Sequence, residues 1–324
     1  MSEPTRWAFP TNMQPAPGEV RFDLKSALDS VVGLRADIPD DAFTAPILGT
    51  ERTGCGVVIG DDGLVLTIGY LITEAESIWL TANDGTVTPA HPVALDFATG
   101  FGLLMPLGPL RLPALARGSA SSIAPSDDVF VLGSGGRTHA LKATVFAKRE
   151  FAGYWEYLLE EALFATPAHP EWSGAALVGD DGRLVGIGSL LVQEAAGDDV
   201  VKGNMFVPID LLVPILDDLL RTGRAPGPAR PWLGMYTTET PNGLVVNGLA
   251  SDGPADKAGV MPGDVVVAVA DHRVTALADM YRAIWTKGPA GVEVALTLAR
   301  DGTPLRVDVH SGDRRDFLRK PRLQ

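Results

Sequence analysis

The sequence predicts a mostly β protein followed by a separate α+β unit. Between about residues 45 and 206 the chain consists of short β-branched or apolar runs punctuated by Gly, Asp and Pro, which is the grammar of strands and turns. Within that stretch one hairpin pattern occurs twice. Residues 57–66, V-V-I-G-D-D-G-L-V-L, are echoed by residues 176–185, A-L-V-G-D-D-G-R-L-V, about 120 positions later. Such a repeat suggests two similar β-barrels, although short strands alone fit any sandwich or barrel. A third observation is the run 223–231, G-R-A-P-G-P-A-R-P, which separates this stretch from a last unit where helical and strand periods alternate.

The elements follow in order. Residues 1–20 hold four prolines and read as an arm whose large apolar groups, Trp7 and Phe9, could dock on the chain's own domain or on a neighbouring subunit. Residues 21–222 form the β domain. In both repeated hairpins an Asp-Gly pair is expected to supply the positive φ angles of a tight turn. The domain closes with a helix over 207–222, capped by Asp210, with Leu211, Leu212, Ile215, Leu216, Leu219 and Leu220 on one face. Pro214 is tolerable there if it falls in the first turn. Residues 223–230 are the linker. The last unit, 231–312, has helix-like pieces at 251–260 and 275–285 and a hairpin at 296–307 turning on Asp301 and Gly302. Residues 313–324 read as a solvated basic tail carrying Arg314, Arg315, Arg319, Lys320 and Arg322.

With 324 residues the chain is long enough for one or two domains. Its 46% hydrophobic and 21% charged content is that of a soluble globular protein, and the formal charge of −13 argues against a nucleic-acid partner. No run approaches the roughly 18 apolar residues needed to span a bilayer, and the N-terminal residues do not resemble a signal peptide. A cytoplasmic location is therefore expected. The single cysteine, Cys55, excludes an intrachain disulfide and reads as a small core residue. No His/Cys/Asp cluster has ligand spacing, so neither metal nor cofactor is expected.

Three motifs make the barrel choice specific. Residues 169–178, H-P-E-W-S-G-A-A-L-V, resemble the nucleophile loop N-P-G-N-S-G-G-P-L-V of the HtrA (DegP-like) branch of trypsin-like serine proteases, which puts Ser173 at the nucleophile position. Residues 63–72 are similar to the family's histidine segment G-x-x-L-T-x-x-H-V-V, with Tyr70 in place of the histidine. Residues 96–104 are similar to its aspartate segment D-x-x-T-D-x-A-x-L, with Gly100 in place of the carboxylate. Residues 251–264 resemble the S-P-A-x-x-A-G-L-x-x-G-D region of a bacterial PDZ domain. The resemblance implies a trypsin-like pair of six-stranded β-barrels followed by a PDZ domain. It also implies a trimer formed through the aromatic N-terminal arm.

The chemistry expected from these residues is poor. A serine hydroxyl needs a base to take its proton, and a phenol with pKa near ~10 stays protonated at neutral pH. Gly100 has no side chain to orient a base. Glu171 stands where the family has the glycine of the oxyanion hole, and its carboxylate would oppose a developing negative charge. Of the histidines, His169 shares the serine's loop and His91, His139, His272 and His310 cannot be placed from sequence. The leading reading is an inactive protease fold that binds peptides or unfolded chains; the alternative is an atypical serine endopeptidase using Ser173 with an unrecognised base. For peptide binding, the family's carboxylate loop Y-L-G-[IV] corresponds to Trp232, Leu233, Gly234 and Met235. Met280 and Ile284 are expected to line the pocket for the last apolar side chain of a bound C-terminus, or else to fill the core.

Overall fold

The computed structural model describes residues 7–196 and 199–319. Its contacts gather into two compact units: among the described residues, one holds 7–149 together with 161–225, the other holds 150–160 together with 226–319.

The first unit contains two closed barrels. Strands β1 (Val31–Asp37), β2 (Glu51–Val58), β3 (Val65–Ile68), β4 (Ser77–Thr81), β5 (Val87–Leu95) and β6 (Phe101–Pro106) close in the order β1-β2-β3-β6-β5-β4. Strands β7 (Asp128–Leu132), β8 (Ala140–Gly153), β9 (Tyr157–Thr166), β10 (Ala176–Val178), β11 (Leu184–Ala196) and β12 (Asp199–Pro208) close in the order β10-β11-β12-β9-β8-β7. Closure gives each barrel strand a neighbour on both sides along at least part of its length. The apolar runs that lacked alternation in the sequence, such as Val65 to Ile68, are buried throughout, as expected of strands inside a closed barrel. Short helices α1 (Leu24–Asp29) and α2 (Ala45–Leu48) flank β1.

The repeated hairpins turn differently from the expectation. Only the glycines Gly63 (φ +86°) and Gly182 (φ +79°) are left-handed. Asp62 and Asp181 instead accept a hydrogen bond from the amide two residues on, at Leu64 (3.1 Å) and Arg183 (3.0 Å). That Asx bond fixes the turn without a positive φ at the aspartate.

The helix expected over 207–222 is shorter, with α3 covering only Leu216–Thr222. Pro214 has no N–H and disfavours helical backbone in the residue before it, so 209–215 runs as tight turns. Asp210 does not cap that helix. Its carboxylate accepts from the Ser119 hydroxyl (2.6 Å) and from the Ala120 amide, capping a turn far away in sequence.

The second unit is a sheet in the order β13-β14-β15-β17-β18, with β16 paired to β15. Its strands are β13 (Met235–Thr240), β14 (Gly243–Leu249), β15 (Val265–Val269), β16 (His272–Arg273), β17 (Glu293–Arg300) and β18 (Thr303–His310). Helices α4 (Pro254–Lys257) and α5 (Leu277–Trp285) cover it. The 301–302 turn behaves as the sequence predicts, with Asp301 and Gly302 both at positive φ. The basic segment is not wholly a solvated tail. Residues Arg314–Phe317 form a 3₁₀ turn, and Phe317 packs on Trp232 with ring centroids 4.7 Å apart. Lys320 and Arg322 lie outside the described residues.

Candidate functional site

The segment bearing Ser173 is fixed to the first barrel from behind. The Ser173 carbonyl accepts from the Cys55 amide at 2.7 Å, and Gly174 follows at φ +75°. A Cβ on Gly174 would stand 1.9 Å from the Cys55 carbonyl oxygen, so only glycine fits this contact. Tyr70 lies in the 3₁₀ turn Gly69–Leu71 that ends β3. This turn is held by Arg52, a buried guanidinium that donates to the Tyr70 carbonyl (2.6 Å), the Thr73 carbonyl (3.1 Å) and the Thr44 hydroxyl (2.8 Å). The Gly100 loop still approaches this turn, with the Gly69 amide donating to the Gly100 carbonyl at 2.7 Å. The three motif segments therefore lie together, with Tyr70 beside Ser173 and the Gly100 loop bonded to the turn that carries Tyr70.

Tyr70 Oη lies 2.7 Å from Ser173 Oγ and 2.9 Å from the Ser189 carbonyl oxygen. The phenol has one proton and the carbonyl can only accept. Both contacts are satisfied together when the phenol donates to Ser189 and the serine donates to the phenol oxygen. Burial pushes the Tyr70 phenol up to about 12. A phenol so placed keeps its proton and is a very weak acceptor for the serine's proton at neutral pH. Among the described residues, no imidazole, carboxylate or amine is hydrogen-bonded to Ser173 Oγ.

His169, the histidine nearest in sequence, is fully buried and used elsewhere. Its Nε2 lies 2.9 Å from the His139 carbonyl, and its Nδ1 accepts from the Glu171 amide at 3.0 Å. This pair of partners makes it a neutral imidazole with the proton on Nε2. Burial lowers its pKa in the same sense. The Glu171 amide, at the family's oxyanion-hole position, therefore points at an imidazole nitrogen rather than into the cleft. The Glu171 carboxylate accepts from the Trp7 indole N–H at 2.9 Å. Trp7 and Phe9 both pack edge-on to His169, and Phe9 lies against the core of the second barrel. The arm thus docks on its own domain. A cleft of about 480 Å³ remains beside Ser173, lined among others by Gly33, Thr53, Gly54, Pro170 and Trp172.

In the second unit the four residues of the expected carboxylate loop present backbone, not side chains. Trp232, Leu233 and Met235 are buried, and Leu233 and Met235 belong to the apolar core. Gly234 has φ +76°, and a Cβ there would meet the Ala250 Cβ at 3.0 Å. This left-handed residue turns three successive amides the same way. They donate to one carboxylate: Leu233 to Glu156 Oε2 (3.0 Å), Gly234 to Oε1 (2.6 Å) and Met235 to Oε1 (3.0 Å). Met280 and Ile284 are fully enclosed rather than lining an open pocket. The cluster that encloses them also contains Leu158. Glu156 and Leu158 were not foreseen, since a hairpin tip carries no local signal of a distant partner.

A family model described as a trypsin-like peptidase domain matches residues 54–187, and one described as a PDZ domain matches residues 231–310. A probable periplasmic serine endoprotease DegP-like of Halomonas elongata is 27% identical over 274 residues, covering 80% of this chain and 56% of its own. The serine endoprotease DegS of Haemophilus influenzae is 25% identical over 274 residues, covering 81% of this chain and 77% of its own. The solved structure of the HtrA-type protease AlgW with decapeptide shares the fold, with a TM-score of 0.53 at 22% identity, covering 93% of this chain and 100% of its own. The chain spans little more than half the length of the DegP-like relatives it matches. Those relatives are named periplasmic, so the expected cytoplasmic location finds no support in them. Among the described residues no helix is long and apolar enough to cross a membrane. A trypsin-like peptidase domain followed by a PDZ domain, with DegP-like and DegS relatives along about four-fifths of its length, supports an HtrA/DegP-like family for this chain.

Proposed function

We propose that this protein is a catalytically inactive member of its family that binds peptides or unfolded chains through its PDZ domain. Its role would be protein quality control, as a holding protein or as a scaffold for an active protease. The observation that carries this reading is Tyr70 Oη at 2.7 Å from Ser173 Oγ, a protonated phenol where a base is required. Losing a whole triad in subtilisin removes roughly 10⁶ in turnover, and the residue left behind is nearly inert. The Glu171 amide turned onto His169 supports the same conclusion, since one lost oxyanion donor removes about 10²–10³.

The peptide-binding half is supported by the amides of Leu233, Gly234 and Met235 converging on a carboxylate, the group that ends every free peptide chain. Association through the N-terminal arm forms no part of the reading, because Trp7 and Phe9 are packed on the chain's own barrel.

The test is to incubate the purified protein with reduced, unfolded casein and follow complex formation by size-exclusion chromatography and cleavage by gel. The expected result is a complex without fragments, unchanged in Ser173→Ala. Fragments that disappear in Ser173→Ala would overturn the reading in favour of an atypical serine endopeptidase.

A further inference from the structure

The hairpin tip between β8 and β9 meets the PDZ unit in three ways that together copy a bound peptide. The first is the carboxylate of Glu156, which takes the amides of Leu233, Gly234 and Met235 as described. The second is a strand-type bond. Two residues before Glu156, the Tyr154 carbonyl accepts from the Thr237 amide of β13 at 3.1 Å. A spacing of two is the strand period, so a segment pairing along β13 would place its carbonyl and its carboxylate at this interval. The third is apolar. Leu158 is buried in the cluster containing Met235, Met280 and Ile284.

The tip is clasped from helix α5 and from the 3₁₀ turn as well. Tyr281 Oη donates to the Gly153 carbonyl at 2.7 Å, and the Glu156 amide donates to Tyr281 Oη at 3.3 Å. Arg314 Nη1 lies 3.4 Å from the Trp155 carbonyl. At the base of the hairpin, Arg282 on α5 bridges Glu150 and Glu160. Glu156 itself is at φ +59°, a left-handed residue that is not glycine, which is backbone strain accepted where a side chain must be aimed.

We infer that residues 153–158 are an internal ligand of the PDZ groove, with Glu156 in the place of a terminal carboxylate, so that a chain with a free C-terminus binds only by displacing this hairpin tip. The inference rests on the reading of the PDZ unit as a peptide-binding module. It adds that the groove is occupied at rest, and that its partner is a free carboxylate on an extended, apolar-ended chain. The occupant is displaceable because its carboxylate belongs to a residue only 8% exposed and is largely removed from water. Burial pushes Glu156 up to about 7, against the pull of the three amides and of Arg314. The Arg282 bridges are largely exposed and screened, so they add little. If the tip is docked about nine-tenths of the time, an external peptide binds roughly tenfold more weakly than to an empty groove.

The test uses the full chain and a pool of fluorescein-labelled ten-residue peptides with random internal positions and a free C-terminal Val, Leu, Ile or Phe. The same pool, amidated, is the control. Binding is read by anisotropy in wild type, Glu156→Ala and Glu156→Gln, and amide hydrogen exchange of residues 233–237 is read alongside. The expected result is free-carboxylate binding about tenfold or more tighter in Glu156→Ala, an intermediate value in Glu156→Gln, none with the amidated pool, and amides 233–235 exchanging faster in both variants. Should either variant unfold, as read by loss of exchange protection in β17 and β18, the other decides. Equal affinity in wild type and variants overturns the internal-ligand inference and leaves peptide binding standing. Faster exchange with no binding in any form overturns the peptide reading, and with it the inference, and makes the contact a structural strut.

Discussion

The Glu171 amide donates to His169 Nδ1 at 3.0 Å, and this bond makes the amide at the family's oxyanion-hole position part of the loop's own scaffold. His169 is in turn committed through Nε2 to the His139 carbonyl. The imidazole and the Glu171 amide of the Ser173 loop are thus used on each other. The proposed inactivity thus has two separate sources, Tyr70 and Gly100 in segments of the first barrel and Glu171 in the Ser173 loop.

Restoring the triad residues alone is therefore expected to fail. Tyr70→His with Gly100→Asp supplies base and acid but leaves the Glu171 amide on His169. Gly100 also sits at φ +82°, where aspartate costs about 1 kcal/mol or more in strain. Hydrolysis of a p-nitrophenyl ester should stay at background in the double variant. Adding Glu171→Gly should raise it at least about a hundredfold, the usual contribution of one oxyanion donor.

Tyr70 and Ser173 should be energetically coupled. Tyr70→Phe leaves the Ser173 hydroxyl and the Ser189 carbonyl without their phenol partner and should lower stability by roughly 1–3 kcal/mol. Ser173→Ala leaves the bond to Ser189 intact and should cost less. A double-mutant cycle by urea denaturation should give a coupling of about 0.5–1.5 kcal/mol. Strict additivity would show that the two hydroxyls are not bonded in solution.

The Tyr70 phenol should titrate late. Its folded-state pKa is raised by burial to about 12, above the ordinary value of 10.0. The folded state therefore holds this proton more tightly than the unfolded chain. The resulting stability is complete below pH 10 and is lost as pH rises towards 12. The ultraviolet phenolate signal of wild type minus Tyr70→Phe should stay flat through pH 10 and rise only near 12. A rise centred on 10 would place Tyr70 in water.

Arg52 should be indispensable to the turn that carries Tyr70. It is only 4% exposed, and its guanidinium spans the Tyr70 and Thr73 carbonyls and the Thr44 hydroxyl, whose neighbour Glu74 accepts from the amides of Phe43 and Thr44. Arg52→Ala strands those acceptors and the Glu74 charge, and should cost about 3–5 kcal/mol by chemical denaturation. Arg52→Lys should recover little, because one ammonium cannot reach the same spread of acceptors.

What could be read from the sequence was local or sat in a motif. The strands, the Gly-centred turns and the places of Tyr70 and Gly100 in their motifs each follow from residues within about ten positions of one another. The failures were long-range. Asp210 reads as a helix cap, but Pro214 blocks that helix and its carboxylate finds Ser119 and Ala120, about ninety residues away. Arg314 reads as one charge in a basic tail, yet its turn reaches back to Trp155. Glu156 looks like an ordinary polar hairpin tip, since its three amide partners lie 77 to 79 residues further on. Met280 and Ile284 have the right helical spacing, but spacing does not tell a lined groove from a filled one.

The most direct measurement is the intact mass of the protein after prolonged incubation with a fluorophosphonate, which traps a serine only if its hydroxyl is activated. The account predicts an unchanged mass in wild type, with Ser173 still bonded to Tyr70. An added phosphonyl group that maps to Ser173 and is absent from Ser173→Ala would contradict it.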